Sequence, residues 1–273
     1  MTEPIPDYKN LDLSGEALQA AMRMEARARE PASEKMFQEL VFPMLTPTTG
    51  TVLEFGCGTA ALARRIARAA PHAVVYASDK SAGMLKAARQ VMDAESLDNL
   101  RLECWDILDP LACPFPAVRF DLIISSVVNP YLDDNQTIAL VDDLVSRLAP
   151  GGTLAFVEQD WMSDAVNIPR FELFRDILQK DSRSMKHTLT LGLRPVLRQA
   201  GLQVLPRRSF LWTDDAYGDY TRDLLERFAD SAFERGQIKP EERDEWKATL
   251  LELAGTGDFF YGIVYHLVAG QRR

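Results

Sequence analysis

At 273 residues, with 47% apolar and 26% charged side chains, the chain has the make-up of a soluble globular protein with a full core: one domain with a cap or insertion. A net charge of −9 excludes the broad basic face that a nucleic-acid footprint needs, while leaving room for a local basic pocket. The opening Met1-Thr2-Glu3-Pro4 lacks a basic region and a following apolar run, nothing resembles a membrane span, and Cys57, Cys104 and Cys113 stand at no metal-type spacing, so a cytoplasmic protein with reduced thiols is expected.

Residues 1–14 read as an extended arm. Strong helix formers then run from Glu16 to Glu30, Pro31 interrupts them, and Ser33 with Glu34 starts a second helix with Met36, Phe37, Leu40 and Val41 on its apolar face. From Thr51 strands and helices alternate. Val52–Phe55 is a short buried-type strand, and Leu62 and Ile66 mark the inward side of the helix after it. Ala73–Ser78 is a second strand ending at Asp79, and Ser81 caps a helix carrying Met84, Leu85, Ala88, Val91 and Met92. A third strand runs from Leu100 to Trp105 and ends at Asp106; a fourth covers Phe120–Ser126. A helix from about Asn135 to Leu148 leads through Pro150-Gly151-Gly152 into a fifth strand, Thr153–Glu158. Repeated βα units predict an α/β fold with a doubly wound, mostly parallel sheet and right-handed crossovers.

After Glu158 the rhythm changes. Trp161–Pro169 reads as a loop, Phe171 to Leu178 as an extra helix, and Leu193–Ala200 as another. Two strand candidates remain, Leu202–Leu211 and Phe259–Val268, separated by an acidic helical insert. Pro206 assigns the first to an edge, and the proline-free second to the interior. The expected divisions are an N-terminal arm and helical cap (1–49), a core (50–215), a helical insert that is a cap or a contact between copies in a homo-oligomer (216–257), and a final core strand (258–273).

The chemistry centres on Glu54-Phe55-Gly56-Cys57-Gly58-Thr59. The glycines permit a tight strand-to-helix turn and let a ligand approach bare backbone, while the next helix directs unpaired N–H groups and the positive end of its dipole at the same spot. Gly56-x-Gly58-x-x-Ala61 also fits a loosened dinucleotide fingerprint, so NAD competes. Glu54 argues against it, because the dinucleotide pattern has only apolar residues there. Asp79, positioned for two ribose hydroxyls, serves either ligand; Asp106 is placed to accept from an adenine amino group. Three acids on successive strand ends suit an adenosine joined to a small zwitterion, with no diphosphate to cradle.

These residues resemble the class I S-adenosylmethionine-dependent methyltransferases, small-molecule type, and among them the ubiquinone/menaquinone-biosynthesis and natural-product group. The resemblance lies in Val-Leu-Glu-Phe-Gly-Cys-Gly-Thr (52–59), Ala-Ser-Asp-Lys-Ser-Ala-Gly-Met-Leu (77–85), Trp-Asp-Ile (105–107), Phe-Asp-Leu-Ile-Ile-Ser-Ser (120–126) and Leu-Ala-Pro-Gly-Gly-Thr-Leu (148–154). It implies a Rossmann-like seven-stranded sheet whose last strand is antiparallel and interior. It also implies methyl transfer from S-adenosylmethionine to a small organic acceptor with O, N or C nucleophile, leaving S-adenosylhomocysteine. Glu54, Gly56 and Gly58 would then line the methionine end and Asp79 would bind the ribose. Lys80, Met84, Asp106 and Ile107 would surround the adenine, and backbone around Ser125 would meet the cofactor's amino group.

Asn129-Pro130-Tyr131 resembles the Asn-Pro-Pro-Tyr of amino-methylating nucleic-acid enzymes, but the second proline is missing and Asn129 lies too far past Asp121. With the acidic balance, nucleic acid is not an expected partner, and Asn129 and Tyr131 are expected to face a small substrate. Among candidate bases, His72 sits in a surface turn and His266 in the interior strand. His187, between the fifth strand and the Leu193 helix, is the expected base, with Glu158 and Asp160 as alternatives. No Asp-Asp-Asn set stands at metal-ligand spacing, so no metal is expected. Arg23 or Arg27 could reach the methionine carboxylate, although solvated surface is the expectation for each. The alternatives to methyl transfer are a repurposed S-adenosylmethionine-binding protein, a nucleic-acid or protein methyltransferase, and an NAD-dependent oxidoreductase.

Overall fold

Val52, Leu53 and Phe55 have no solvent exposure, and a strand buried on both faces belongs in the middle of a parallel sheet. A computed structural model describes residues 10–179 and 187–273, with side chains left out at 179 and 187–191. In it, β1 (Thr51–Phe55) lies between β2 (Val74–Asp79) and β4 (Phe120–Ser126), with β3 (Leu100–Cys104) outside β2 and β5 (Leu148–Val166) beyond β4. These five strands run parallel. The final strand β8 (Tyr261–Gln271) enters antiparallel beside β5, and its other edge carries β6 (Gln203–Val204) and then β7 (Arg208–Asp214). The expected doubly wound sheet with an antiparallel, interior last strand is present. The expected edge strand Leu202–Leu211 is divided in two around Pro206, which has no N–H to donate and lies between β6 and β7, raising the strand count to eight.

Side chains alternate between the two faces. Val52, Val75, Ile124 and Val157 pack with α4 (Ala61–Ala69), α5 (Ala82–Glu95) and the 37–41 turn. Leu53, Phe55, Ile123 and Phe156 pack with α6 (Asp134–Arg147) and α8 (His187–Gln199), where Phe55 and Phe156 meet edge to face at 6.0 Å. Ser81 caps α5 as expected, its Oγ accepting from Met84 N at 3.1 Å. Asp133 and Gln136 form a reciprocal capping box on α6.

β5 is much longer than the expected Thr153–Glu158. Polar Asp160, Ser163 and Asp164 give the stretch after Glu158 a loop-like composition, yet β8 pairs with it from Thr153 to Val166 across a bulge between Asp160 and Ala165. The polar side chains serve that pairing: Ser163 Oγ accepts from Val264 N at 2.7 Å, and Asp164 accepts from the Tyr261 hydroxyl at 2.6 Å.

The described part of the N-terminal arm is not extended but forms one helical turn, α1 (Leu11–Ser14), before α2 (Ala17–Arg29). The second helix, α3 (Pro31–Met36), begins at Pro31 rather than after it, because proline suits a first helical turn whose N–H has no partner anyway. The expected extra helix after β5 is present, as one α-helical turn, α7 (Phe171–Phe174), continued by a wider π-helical turn over Arg175–Gln179. The insert is a helical pair, α9 (Asp219–Glu234) and α10 (Pro240–Thr256), with Trp246 Nε1 donating to Leu225 O at 3.1 Å; α9 also packs on α2. The α2–α9 contact makes a roof over the C-terminal ends of the parallel strands. Among the described residues, no helix is long and apolar enough to cross a membrane.

Candidate functional site

Under that roof lies a cavity of about 260 Å³, at the strand ends where open α/β sheets bind ligands. Its floor is the turn after β1. Gly56 (φ +60°) and Gly58 (φ +55°) both occupy the left-handed region. A Cβ on Gly56 would lie 2.5 Å from Val128 Cγ2, and one on Gly58 would lie 2.5 Å from Met24 Sδ, so both positions also need the missing side chain for space. A smaller recess of about 70 Å³, lined by Glu54, Cys57, Thr59 and Arg65, continues from Gly56.

Asp79 sits on the cavity wall at the end of β2. Its Oδ2 accepts from Gly58 N at 2.8 Å and its Oδ1 from Ser81 N at 2.9 Å, so one carboxylate fixes both the glycine turn and the start of α5. Burial raises its pKa above the usual carboxylate range against these two N–H donors. Each oxygen retains acceptor capacity for a hydroxyl group. Lys80, Met84, Asp106 and Ile107 line the same end, with Asp106 exposed and its Oδ1 accepting from Leu108 N at 3.0 Å. Asp12 of α1 braces this corner from outside, accepting from Ser81 Oγ (2.7 Å), Ala82 N (2.8 Å) and Gly83 N (3.1 Å).

Glu54 lines the recess rather than the main cavity. Its Oε2 accepts from Ala63 N at 2.7 Å, satisfying an orphan donor in the first turn of α4, and burial, with Asp79 adding to it, pushes its carboxyl up to about 8. Gly58 lies beneath Met24 and is held by Asp79. Ser125 is fully buried and off the wall, where the adjacent Ser126 and Val127 stand instead.

Two expected substrate residues separate. Tyr131 lines the cavity, but Asn129 is 1% exposed and faces inward, its Oδ1 accepting from Thr137 Oγ1 at 3.0 Å. The tight 129–131 helical turn directs the two side chains apart. Asn129 N donates to Glu158 Oε1 at 3.3 Å; Glu158 is itself fully buried, its Oε2 without a partner, and its carboxyl pushed up to about 8 by burial. Glu158 is therefore a structural group away from the cavity wall. The His187 side chain lies outside the described residues; its backbone begins α8. His266 meets Ser209 Oγ at 2.7 Å and Asp160 Oδ2 at 3.4 Å and is a satisfied histidine off the cavity, while His72 is exposed.

Arg23 and Arg27 are not on solvated surface. Both line the cavity, together with Met24 from the same helix and Tyr220, Leu224, Arg227 and Phe228 from α9. Gln159 and Trp161, in the unexpected extension of β5, complete that side: Trp161 Nε1 donates to Gln159 Oε1 at 2.9 Å, and Gln159 Nε2 donates to the Tyr265 hydroxyl at 2.6 Å. The i, i+1, i+4 spacing of Arg23, Met24 and Arg27 was the available signal that one face of α2 is shared between cations and a thioether.

Residues 52–152 match the family described as "Methyltransferase domain". The trans-aconitate 2-methyltransferase of Azoarcus sp. is 33% identical over 38% of this chain and 37% of its own length, so the chain spans little more than a third of that relative. A malonyl-[acyl-carrier protein] O-methyltransferase of Priestia megaterium is 31% identical over 38% of this chain and 35% of its own. A solved structure from the conversion of a disulfide bond into a thioacetal group during echinomycin biosynthesis superposes with a TM-score of 0.53 at 18% identity, over 90% of this chain and 83% of that one, a likeness of fold alone. The glycine turn, the strand-end acids and the order of the strands all fall within or around the matched stretch, so residues 52–152 carry a methyltransferase domain.

Proposed function

We propose that this chain transfers the methyl group of S-adenosylmethionine to a small organic acceptor held between the Gly56 turn and helices α2 and α9. The observation that carries this reading is Asp79, a strand-end carboxylate locked by two backbone N–H groups on the cavity wall, with Asp106 at the same end. The residues present fit the cofactor. Asp79 takes the ribose hydroxyls, Asp106 the adenine amino group, and Lys80, Met84 and Ile107 flank the ring. Gly56 and the backbone of Ser126 and Val127 border the methionine end. Arg23, whose buried Nε has no partner, suits the methionine carboxylate. Glu54 acts one step removed, by capping α4 and keeping the turn in shape.

When bound, the cofactor supplies an electrophilic methyl group on a sulfonium. The chain's own contribution is alignment and exclusion of water: Trp161, Tyr220 and Phe228 close the acceptor side with large rings. The printed names of the two relatives describe action on trans-aconitate and on a malonyl carrier protein. The family match ends at residue 152, before Gln159, Trp161 and α9, so it supports the transfer chemistry and leaves the acceptor to be read from this chain. Calorimetric titration with S-adenosylhomocysteine tests the proposal: saturable binding to the native protein is expected, and its absence rejects the reading.

A further inference from the structure

The cavity is polarised by charge in a direction opposite to the protein that contains it. The chain carries a net charge of −9, yet among the described residues four cations (Arg23, Arg27, Arg227 and Lys80) line the cavity against two carboxylates, Asp79 and Asp106, with a third, Asp223, paired to Arg227. Asp79 and Asp106 are both at the adenosine end. S-adenosylmethionine does not correct the excess, because its sulfonium and ammonium outnumber its single carboxylate and it brings one further positive charge. A concave site with such an excess attracts an anion.

The acceptor side shows where that anion sits. Arg27 on α2 and Arg227 on α9 approach it from two helices that pack on each other, with Trp161 and Tyr220 beside them. Each guanidinium is oriented. Arg27 hydrogen-bonds the buried Tyr265 hydroxyl, which also accepts from Gln159. Arg227 is held by Asp223 one helical turn away, at 2.9 Å from Nε and 2.8 Å from Nη2, a pair exposed enough to be screened. Two guanidinium groups oriented from two helices suit one carboxylate between them, and the neighbouring rings match an apolar or aromatic body.

We propose that the acceptor is an organic carboxylic acid with an apolar or aromatic body, its carboxylate bound by Arg27 and Arg227. The proposal rests on the methyl-transfer reading above and adds the substrate class. The test is calorimetry on protein saturated with S-adenosylhomocysteine, titrated with phenylacetate, cinnamate, octanoate and succinate, each beside its primary amide and methyl ester. At least one apolar acid is expected to bind about tenfold or more tightly than its amide and ester. Arg227→Gln is expected to weaken the acid about tenfold or more, leaving the amide and S-adenosylhomocysteine within about twofold. Arg27→Gln is expected to act in the same direction on the acid. If amides and esters bind as well as acids, if no acid binds, or if Arg227→Gln weakens acid and amide equally, the proposal is overturned while the cofactor assignment stands. If the native protein fails to bind S-adenosylhomocysteine, both fall.

Discussion

Glu158 offers a sharp test of the electrostatics of this sheet, because its carboxyl is fully buried and lies off the cavity wall. Burial pushes it up to about 8 from an ordinary 4.5, although the Asn129 and Val128 N–H groups act the other way. The folded protein therefore holds a proton that the unfolded chain has already released. For such a raised acid, stability is fully present below about pH 4.5 and is lost as pH rises through about 8. At about pH 7.5 the difference is roughly three units, or about 4 kcal/mol at 1.36 kcal/mol per unit, and relaxation around the group halves it to about 2 kcal/mol. Glu158→Gln keeps the oxygen that accepts from Asn129 N and removes the proton equilibrium. The variant is expected to melt about 4–8 °C above the native protein near pH 7.5 and within about 2 °C of it near pH 4.5. Thermal melts by circular dichroism across that range measure the gap. A gap that stays constant with pH, or a native protein that gains on the variant as pH rises, refutes the reasoning.

Asp79→Ala removes the acceptor proposed for the ribose hydroxyls and releases the Gly58 N–H, so S-adenosylhomocysteine affinity is expected to fall about 100-fold by calorimetry; a change under about threefold removes Asp79 from the proposed role. Gly58→Ala puts a side chain at φ +55° and against Met24 Sδ, and urea unfolding is expected to show a loss of about 1–2 kcal/mol. Adding Met24→Ala relieves the contact but not the backbone cost, so partial recovery is expected; full recovery assigns the whole effect to crowding. Asp12→Ala takes away the acceptor shared by Ser81, Ala82 and Gly83, and amide exchange at Ala82 and Gly83 is expected to accelerate while that of β1 is unchanged.

The cavity end proposed for the cofactor was readable in the sequence because the placement of its residues is local. A strand end followed by a turn fixes Gly56, Asp79 and Asp106 within a few residues of where their β-strands stop, and the parallel order brings those ends together. The acceptor end is built by contacts remote in sequence. Helical spacing indicates that Arg23 and Arg27 share a face of α2, but only α9, about 200 residues later, turns that face into a cavity wall. Gln159 and Trp161 were hidden for the same reason, since their strand exists only through pairing with β8. Asn129 and Tyr131 differ by one tight turn, which sequence spacing does not orient.

The position of β8 has a consequence for how the chain reaches this state. Residues 261–271 are the last strand in sequence but lie between β5 and the β6–β7 edge, so neither neighbour completes its ladder before they arrive. Until then the β4-distal edge of β5 presents unpaired N–H and C=O groups over an apolar stretch that includes Phe156 and Val157, a surface that invites strands from other molecules. Folding is thus expected to commit late, with the nucleotide half of the sheet assembled first and the wall carrying Gln159 and Trp161 set by the final insertion.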